Sequence, residues 1–378
     1  MTSNLVRSGL GTTVHGTNPL AATVTRIVRD NAADLRERAG TALVLGEMTS
    51  AELVVDTTET TESAPTLLAA LRAGRSVITA NTALIAEHGP RLAATAAEFG
   101  GDLFFEAAVA GGVPVVRPLT QSLSGDRVRQ VLGVFPVGTP HEAGAQAAIL
   151  ATLAFHTRVE VGDVYVEESG PVTPYDLAAT DALSLRLRPL TVCTRVSGQL
   201  TPEEGGKERI SVRVHPALLP VAHPLAQVGE PTSAVTVEAE GAGQLMFSGR
   251  DATTATASAL LGDLVTAARN RVHGGRAPRA SYYAELPVAP LGDTPTRYYL
   301  NLRVTDHAGA LAQVAAVFAD HGVSIARVRQ EHHGLDAHLI VLTHRARESA
   351  LTDTVDALTD TACVRAVTTR WRVEGTDE

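Results

Sequence analysis

The feature that most constrains this chain is the regular alternation, between residues 41 and 112, of short strand-like runs with helix-period stretches. TALVLG (41–46), AELVVDTTE (51–59), SVITAN (76–81) and DLFFEAAVAGG (102–112) read as strands. APTLLAALRAG (64–74) and ALIAEHGPRLAATAAEFG (83–100) read as the helices between them, each stopped by a glycine. Strands recurring at this spacing lie parallel and are joined by helical crossovers. Upstream, LAATVTRIVRDNAADLRERAG (20–40) puts Leu20, Val24, Ile27, Val28 and Leu35 on one helical face, with Gly40 at its end. Residues 1–127 are therefore expected to form a parallel α/β domain.

Downstream the pattern changes. Over 128–253, AGAQAAILATLAFH (143–156) reads as a helix, whereas RISVRVHPALLP (209–220), SAVTVEAEG (233–241) and GQLMFSG (243–249) alternate like antiparallel strands. SGQLTPEEGGKER (197–209) reads as a polar hairpin tip. TATASALLGDLVTAARNRV (254–272) is a helix expected to return to the first domain. Residues 273–296 hold four Pro and three Gly and read as a linker. The remainder, 297–376, runs β-α-β-β-α-β, the ferredoxin-like order.

Composition excludes several functions. The net charge is −9 and the arginines are scattered, which gives no footprint for nucleic acid. No apolar run reaches membrane-spanning length and the N-terminus lacks a secretory pattern, so a cytoplasmic protein is expected. Cys193 and Cys363 make neither a metal pattern nor a disulfide framework and read as buried thiols. Of the 32 basic residues only Lys207 is a lysine, which limits the acid–base chemistry available.

LLAALRAGRSVITANTALIAEHG (67–89), LFFEAAVAGGVPVVRPL (103–119), AILATLAFHTRV (148–159), DVYVEE (163–168) and VRVHPALLPVAHPLAQV (212–228) resemble successive blocks of homoserine dehydrogenase. Residues 297–374 resemble the ACT domain that follows in many bacterial members. The resemblance implies a Rossmann domain, an α+β catalytic and dimerisation domain, and a C-terminal amino-acid sensor, in a homodimer or higher homo-oligomer. It also implies NAD(P)-dependent interconversion of aspartate semialdehyde and homoserine.

Three departures shape the functional expectation. Gly9, Gly11 and Gly16 in SGLGTTVHG stand where the family has a Gly-x-Gly-x-x-Gly turn, behind a short, polar strand at NLVRS. They read either as a damaged but usable cofactor turn or as a loop without ligand. Thr82 and Gln146 occupy the positions of two family lysines, and Glu142 that of an aspartate. Neither threonine nor glutamine exchanges a proton near neutral pH. After VLGV, the loop VLGVFPVGTPHEAGAQ passes almost directly into a helix where the family has a longer substrate-binding stretch. The fold expected is thus a degenerate Rossmann-like sheet, an α+β domain and an ACT domain. The function expected is a repurposed, cofactor-independent enzyme acting on a small amino-acid-like ligand. Alternatives are an inactive regulatory subunit beside a partner dehydrogenase, and a residual NAD(P) oxidoreductase.

Candidate catalytic residues are Asn81, Thr82, Glu106, His141, Glu142 and Gln146. Glu106 belongs to a strand end, where ligands of open α/β sheets gather. His141 and Glu142 could move a proton, or could be a solvated loop residue and a helix-opening acid. In the ACT segment, Asp306, Ala308 and Gly309 could present backbone amides to an amino-acid carboxylate, or the module could serve dimerisation alone.

Overall fold

The computed structural model describes residues 9–136, 138–170, 172–196, 208–279, 281–333 and 336–375. In chain order it begins with β1 (Leu10–His15), α1 (Pro19–Asp30), α2 (Ala32–Ala39), β2 (Leu43–Leu45), β3 (Leu53–Asp56), α3 (Ala64–Arg72) and β4 (Ser76–Thr79). Next come α4 (Thr82–Phe99), β5 (Leu103–Phe104), α5 (Ala107–Ala110), β6 (Val128–Val134), α6 (Pro140–Phe155), β7 (Tyr165–Val166) and α7 (Pro174–Ala182). Then follow β8 (Leu185–Val196), β9 (Arg209–Pro220), β10 (Thr232–Ala239), β11 (Gly243–Arg250), α8 (Thr253–His273) and β12 (Pro295–Thr296). The chain ends with β13 (Tyr298–Thr305), α9 (Ala310–Asp320), β14 (Ile325–His333), β15 (Asp336–Thr343), β16 (Ala346–Arg347), α10 (Glu348–Thr359) and β17 (Val364–Val373). Two compact units result: Met1–Val164 with Gly229–Glu285, and Tyr165–Val228 with Leu286–Glu378.

The first unit holds a parallel sheet of order β2-β1-β3-β4-β5. One face is covered by α1, α2 and α8, whose Val24, Val28, Leu35, Leu260 and Leu264 pack on Leu10, Leu53, Val55 and Ile78. Leu67 and Leu71 of α3 and Leu84 and Leu92 of α4 are buried as well, with α3 packed on β4 and α4 on β5. The same unit contains an antiparallel sheet of order β11-β10-β6, with α6 packed on β6.

Two details of this unit differ from the sequence reading. The stretch 20–40 is two helices, because the chain leaves helical geometry at Asn31 (φ −109°, ψ 23°). The run 102–112 is a strand only at Leu103–Phe104; Glu106 is already in right-handed helical geometry and Ala107–Ala110 form α5. An Ala/Val run supports either state, and tertiary contacts choose between them.

The step from β2 to β3 is unusual. Leu45 ends β2 opposite Thr12, and Leu53 begins β3 opposite the same Thr12 on the other side of β1. Residues 46–52 therefore cross β1 directly, where parallel connections commonly need about a dozen residues. Gly11 makes this crossing possible: a Cβ there would lie 3.0 Å from the Ser50 carbonyl oxygen and 3.3 Å from Ala51 Cα.

The second unit carries a sheet of order β8-β9-β17-β13-β15-β14, with β7 also paired to β9. Its β13-α9-β14-β15-α10-β17 part is ferredoxin-like, and α9 and α10 bury Val314, Phe318, Leu351 and Leu358 against Leu300, Leu302 and Leu339. Ala179 of α7 packs with Tyr299, Ile340 and Trp371. Cys193 and Cys363 are buried free thiols. The hairpin tip expected at 197–209 lies mostly outside the described residues. Among the described residues no helix is long and apolar enough to cross a membrane.

Candidate functional site

In an open parallel sheet, ligands bind outside the carboxyl ends of the strands, where the strand order reverses. Here that place lies between β1 and β3. Gly16 follows β1 with φ +126°, a conformation that favours glycine, and a Cβ there would meet Thr57 Oγ1 at 2.3 Å. Thr57 in turn donates its amide (2.9 Å) and its hydroxyl (3.0 Å) to the His15 carbonyl. Asn18 caps α1 by accepting from the Ala21 amide at 3.0 Å and donates to the Thr57 carbonyl at 2.6 Å. An open groove leads from Gly16, Thr17 and Asn18 past Ala22 to Arg26 and Arg29.

Gly16 is thus the only one of the three candidate glycines that lies in the turn. Gly11 sits inside β1 and serves the strand crossing. Gly9 precedes β1 against the Ala42 carbonyl, where a Cβ would lie 2.7 Å away. The expectation of a turn spanning 9–16 is corrected accordingly: the strand is Leu10–His15, and NLVRS lies outside the described residues.

The carboxyl ends of β3 and β4 are held by a buried polar network. Asp56 accepts from Thr79 Oγ1 and Thr58 Oγ1, each at 2.7 Å, and burial raises its carboxyl above the usual range despite these bonds. Asn81 is the N-cap of α4, accepting from the Leu84 amide at 2.9 Å while donating to Thr58 Oγ1 and the Thr60 carbonyl. Thr82 donates to the Ala108 carbonyl at 2.6 Å, which ties α4 to α5.

Glu106 is buried and does concrete structural work. Its Oε1 accepts from the amides of Val115 and Val116, both at 2.7 Å, and its Oε2 from that of Arg117 at 3.0 Å. The Arg117 guanidinium lies 3.6 Å from the same carboxylate and is paired with Asp263 of α8. Asp263 also accepts from the Glu106 amide at 2.9 Å. Burial pushes its carboxyl up to about 6 although Arg117 pulls the other way. The sequence reading missed Asp263; the one available signal was a lone acid on the apolar face of ALLGDLV.

At the start of α6, Thr139 and Glu142 form a reciprocal capping box, with the Glu142 carboxylate taking the Thr139 amide at 2.8 Å and its hydroxyl at 2.9 Å. Glu142 is therefore the helix-opening acid. Gln146 is half-buried one turn on. His141 is exposed, and its Nε2 lies 4.0 Å from Glu87 Oε1 of α4. In the second unit, Asp306, Ala308 and Gly309 are exposed between β13 and α9, and Gly309 starts the helix at φ +91°.

Family models match three stretches: the NAD-binding domain of homoserine dehydrogenase at 13–106, homoserine dehydrogenase at 138–265, and the ACT domain at 298–362. A homoserine dehydrogenase of Mycobacterium tuberculosis is 42% identical over 437 residues, covering 97% of this chain and 98% of the relative. The chain belongs to the homoserine dehydrogenase family. That of Corynebacterium glutamicum is 44% identical over 345 residues, covering 82% of this chain and 76% of its own. A homoserine dehydrogenase structure from Thiobacillus denitrificans matches the fold with a TM-score of 0.85 at 23% identity, covering 97% of this chain and 98% of that one. A hyperthermophilic archaeal homoserine dehydrogenase mutant, in complex with NADPH, matches with a TM-score of 0.51 at 17% identity, covering 68% and 97%.

These relatives correct the functional expectation. A repurposed, cofactor-independent enzyme is not what a chain 42% identical to a homoserine dehydrogenase over nearly its whole length points to. The match of the NAD-binding domain gives no support to the expectation of a cofactor-free protein and is consistent with its alternative, NAD(P) binding. Thr82 and Gln146 are two single positions, whereas the likeness extends over 97% of the chain. The alignment also spans 437 positions against 378 residues here, so the M. tuberculosis relative carries segments that this chain lacks.

Proposed function

We propose that this protein is an NAD(P)-dependent homoserine dehydrogenase. The observation that carries the reading is the 42% identity to a homoserine dehydrogenase over 97% of the chain. The local geometry fits a dinucleotide: one turn glycine at the switch point, the Leu20 amide free of the Asn18 cap in the first turn of α1, and a groove with two arginines beside them. In this reading Gly16 and Thr17 approach the pyrophosphate, and Arg29 supplies positive charge along the groove beside Arg26, which is paired with Asp30. When bound, the nicotinamide accepts or gives the hydride exchanged with the carbinol carbon.

The chain's own residues then have to position the substrate and carry a proton at the carbinol oxygen. Lys207, the chain's one lysine, lies outside the described residues. Of the six candidates, Asn81, Thr82, Glu106 and Glu142 are committed to hydrogen bonds that hold the fold, and Gln146 has no exchangeable proton. His141 beside Glu87 is left as the proton carrier, because an imidazole nitrogen can both accept and donate a proton.

The test is homoserine-dependent reduction of NAD(P)+ by the purified protein, compared with His141→Asn. Turnover that falls on the order of 100-fold in the variant, with the acidic limb of the pH profile lost, supports the assignment. Full activity in the variant removes His141 from the mechanism. No turnover with either cofactor removes the function itself.

A further inference from the structure

β5 is the edge strand of the parallel sheet, paired on one side only. Along its outer side runs a cavity of about 370 Å³, within the size range of small-molecule sites. It reaches from Gly101 and Asp102 at the amino end of β5 to Phe105 and Glu106 at the other. The cofactor groove lies elsewhere, at the β1–α1 turn, and shares no lining residue with it.

The walls are apolar. Pro90, Ala93, Ala94 and Ala97 follow one another at helical spacing on α4, and Phe105 and Leu153 face the same space. Tyr282 also lines it and borders a smaller lobe between α4 and α6. Small side chains on that helix face leave the room that leucines would fill.

The polar groups around the cavity are unevenly committed. Asp102 accepts from the Ala277 amide at 2.9 Å, Glu106 from three amides, and Asp263 from Arg117 and the Glu106 amide. The acids are therefore satisfied. The donors are less so: Arg117 uses Nη2 for Asp263 and Thr266, sets Nε 3.6 Å from Glu106 and, among the described residues, leaves Nη1 without a hydrogen-bond partner, while the exposed Arg279 makes no ion pair among them. A ligand entering this space meets the exposed Arg279 guanidinium and the Nη1 side of Arg117, whose other nitrogens face Glu106 and Asp263, beside an apolar chamber.

We propose that the cavity along β5 binds a small amphipathic carboxylate, its anionic head toward Arg117 and Arg279 and its apolar body against Ala93, Phe105 and Leu153. Guanidinium forks match a carboxylate well, and a neutral or cationic head leaves them unpaired. The contact is consequential for the fold, because Arg117 also joins the segment after α5 to α8 through Asp263.

The test is titration calorimetry on the full chain, with octanoate as probe and octanol and octylamine as neutral and cationic counterparts. Saturable binding of octanoate is expected, at least about tenfold tighter than either counterpart. Arg279→Glu should weaken octanoate about tenfold, and Ala93→Phe should abolish binding by filling the chamber. Arg279 is exposed, so that variant keeps the test decisive should Ala93→Phe fail to fold. Absence of octanoate binding, equal binding of octanol, or affinity unchanged in Arg279→Glu would each overturn the proposal. No nicotinamide and no homoserine are present, so failure here leaves the dehydrogenase reading untouched.

Discussion

At the scale of single residues, Glu106 and Asp263 show how buried acids can hold a fold around a site. Glu106 satisfies three amides that would otherwise be orphaned in the turn after α5. Glu106→Gln keeps the shape but replaces an anion with an amide beside Arg117. It should cost about 3 kcal/mol in urea unfolding, the scale of breaking a buried charge pair. Asp263 acts in the opposite sense. Its folded carboxyl holds its proton up to about 6, above the 3.8 usual for an exposed aspartate, so the folded state binds more protons than the unfolded one between these values. Stability from this group is therefore fully present below about pH 4 and lost as pH rises to about 6, by about 3 kcal/mol in total. Asp263→Asn should flatten that slope in pH-dependent melting; an unchanged slope would assign it to other groups. Neither role was legible beforehand. Glu106 was read as a candidate catalyst from its place beside AAVAGG, because an acid at a strand end and an acid that gathers amides use the same residue.

At the scale of elements, the two glycines Gly11 and Gly16 separate architecture from cofactor binding. Gly11→Ala pushes a Cβ onto the segment crossing β1, and Gly16→Ala pushes one onto Thr57 with φ in the left-handed region. Both should lose about 1–3 kcal/mol of stability. Only Gly16→Ala should also weaken NADPH binding, which fluorescence titration of the folded variants would show; equal weakening by both would undo the distinction. Thr139→Ala, which removes the capping box, should cost about 1 kcal/mol without altering NADPH affinity. The helices α3, α4, α6 and α8 were legible because their apolar period repeats over two or more turns. The break at Asn31 and the helix at Ala107–Ala110 were not, since each depends on packing that no local pattern encodes. The crossing at Gly11 was hidden for the same reason: a glycine in SGLGTTVHG looks like a turn until the neighbour passing over it is known.

At the scale of the whole molecule, the ACT-like strands share a sheet with β8 and β9, joined by the parallel pairing of β17 with β9. Arg372 on β17 binds Glu348 of α10 and, at 2.6 Å, Glu167 just after β7, and these carboxylates hold its guanidinium firmly charged. Arg372→Met would strand two acids, and should lower stability by about 3–5 kcal/mol as read by chemical unfolding. A change within experimental error would show the pairs to be dispensable. The layer order and the β-α-β-β-α-β tail were visible in the sequence, whereas this shared sheet was not, because strand partners distant in sequence leave no periodic trace. The proposed dehydrogenase function requires that the groove with its single turn glycine, Gly16, bind NADPH. Calorimetric titration with NADPH measures it most directly. Saturable micromolar binding, lost in Gly16→Ala, is the predicted result; no binding to the intact, folded protein would contradict the account.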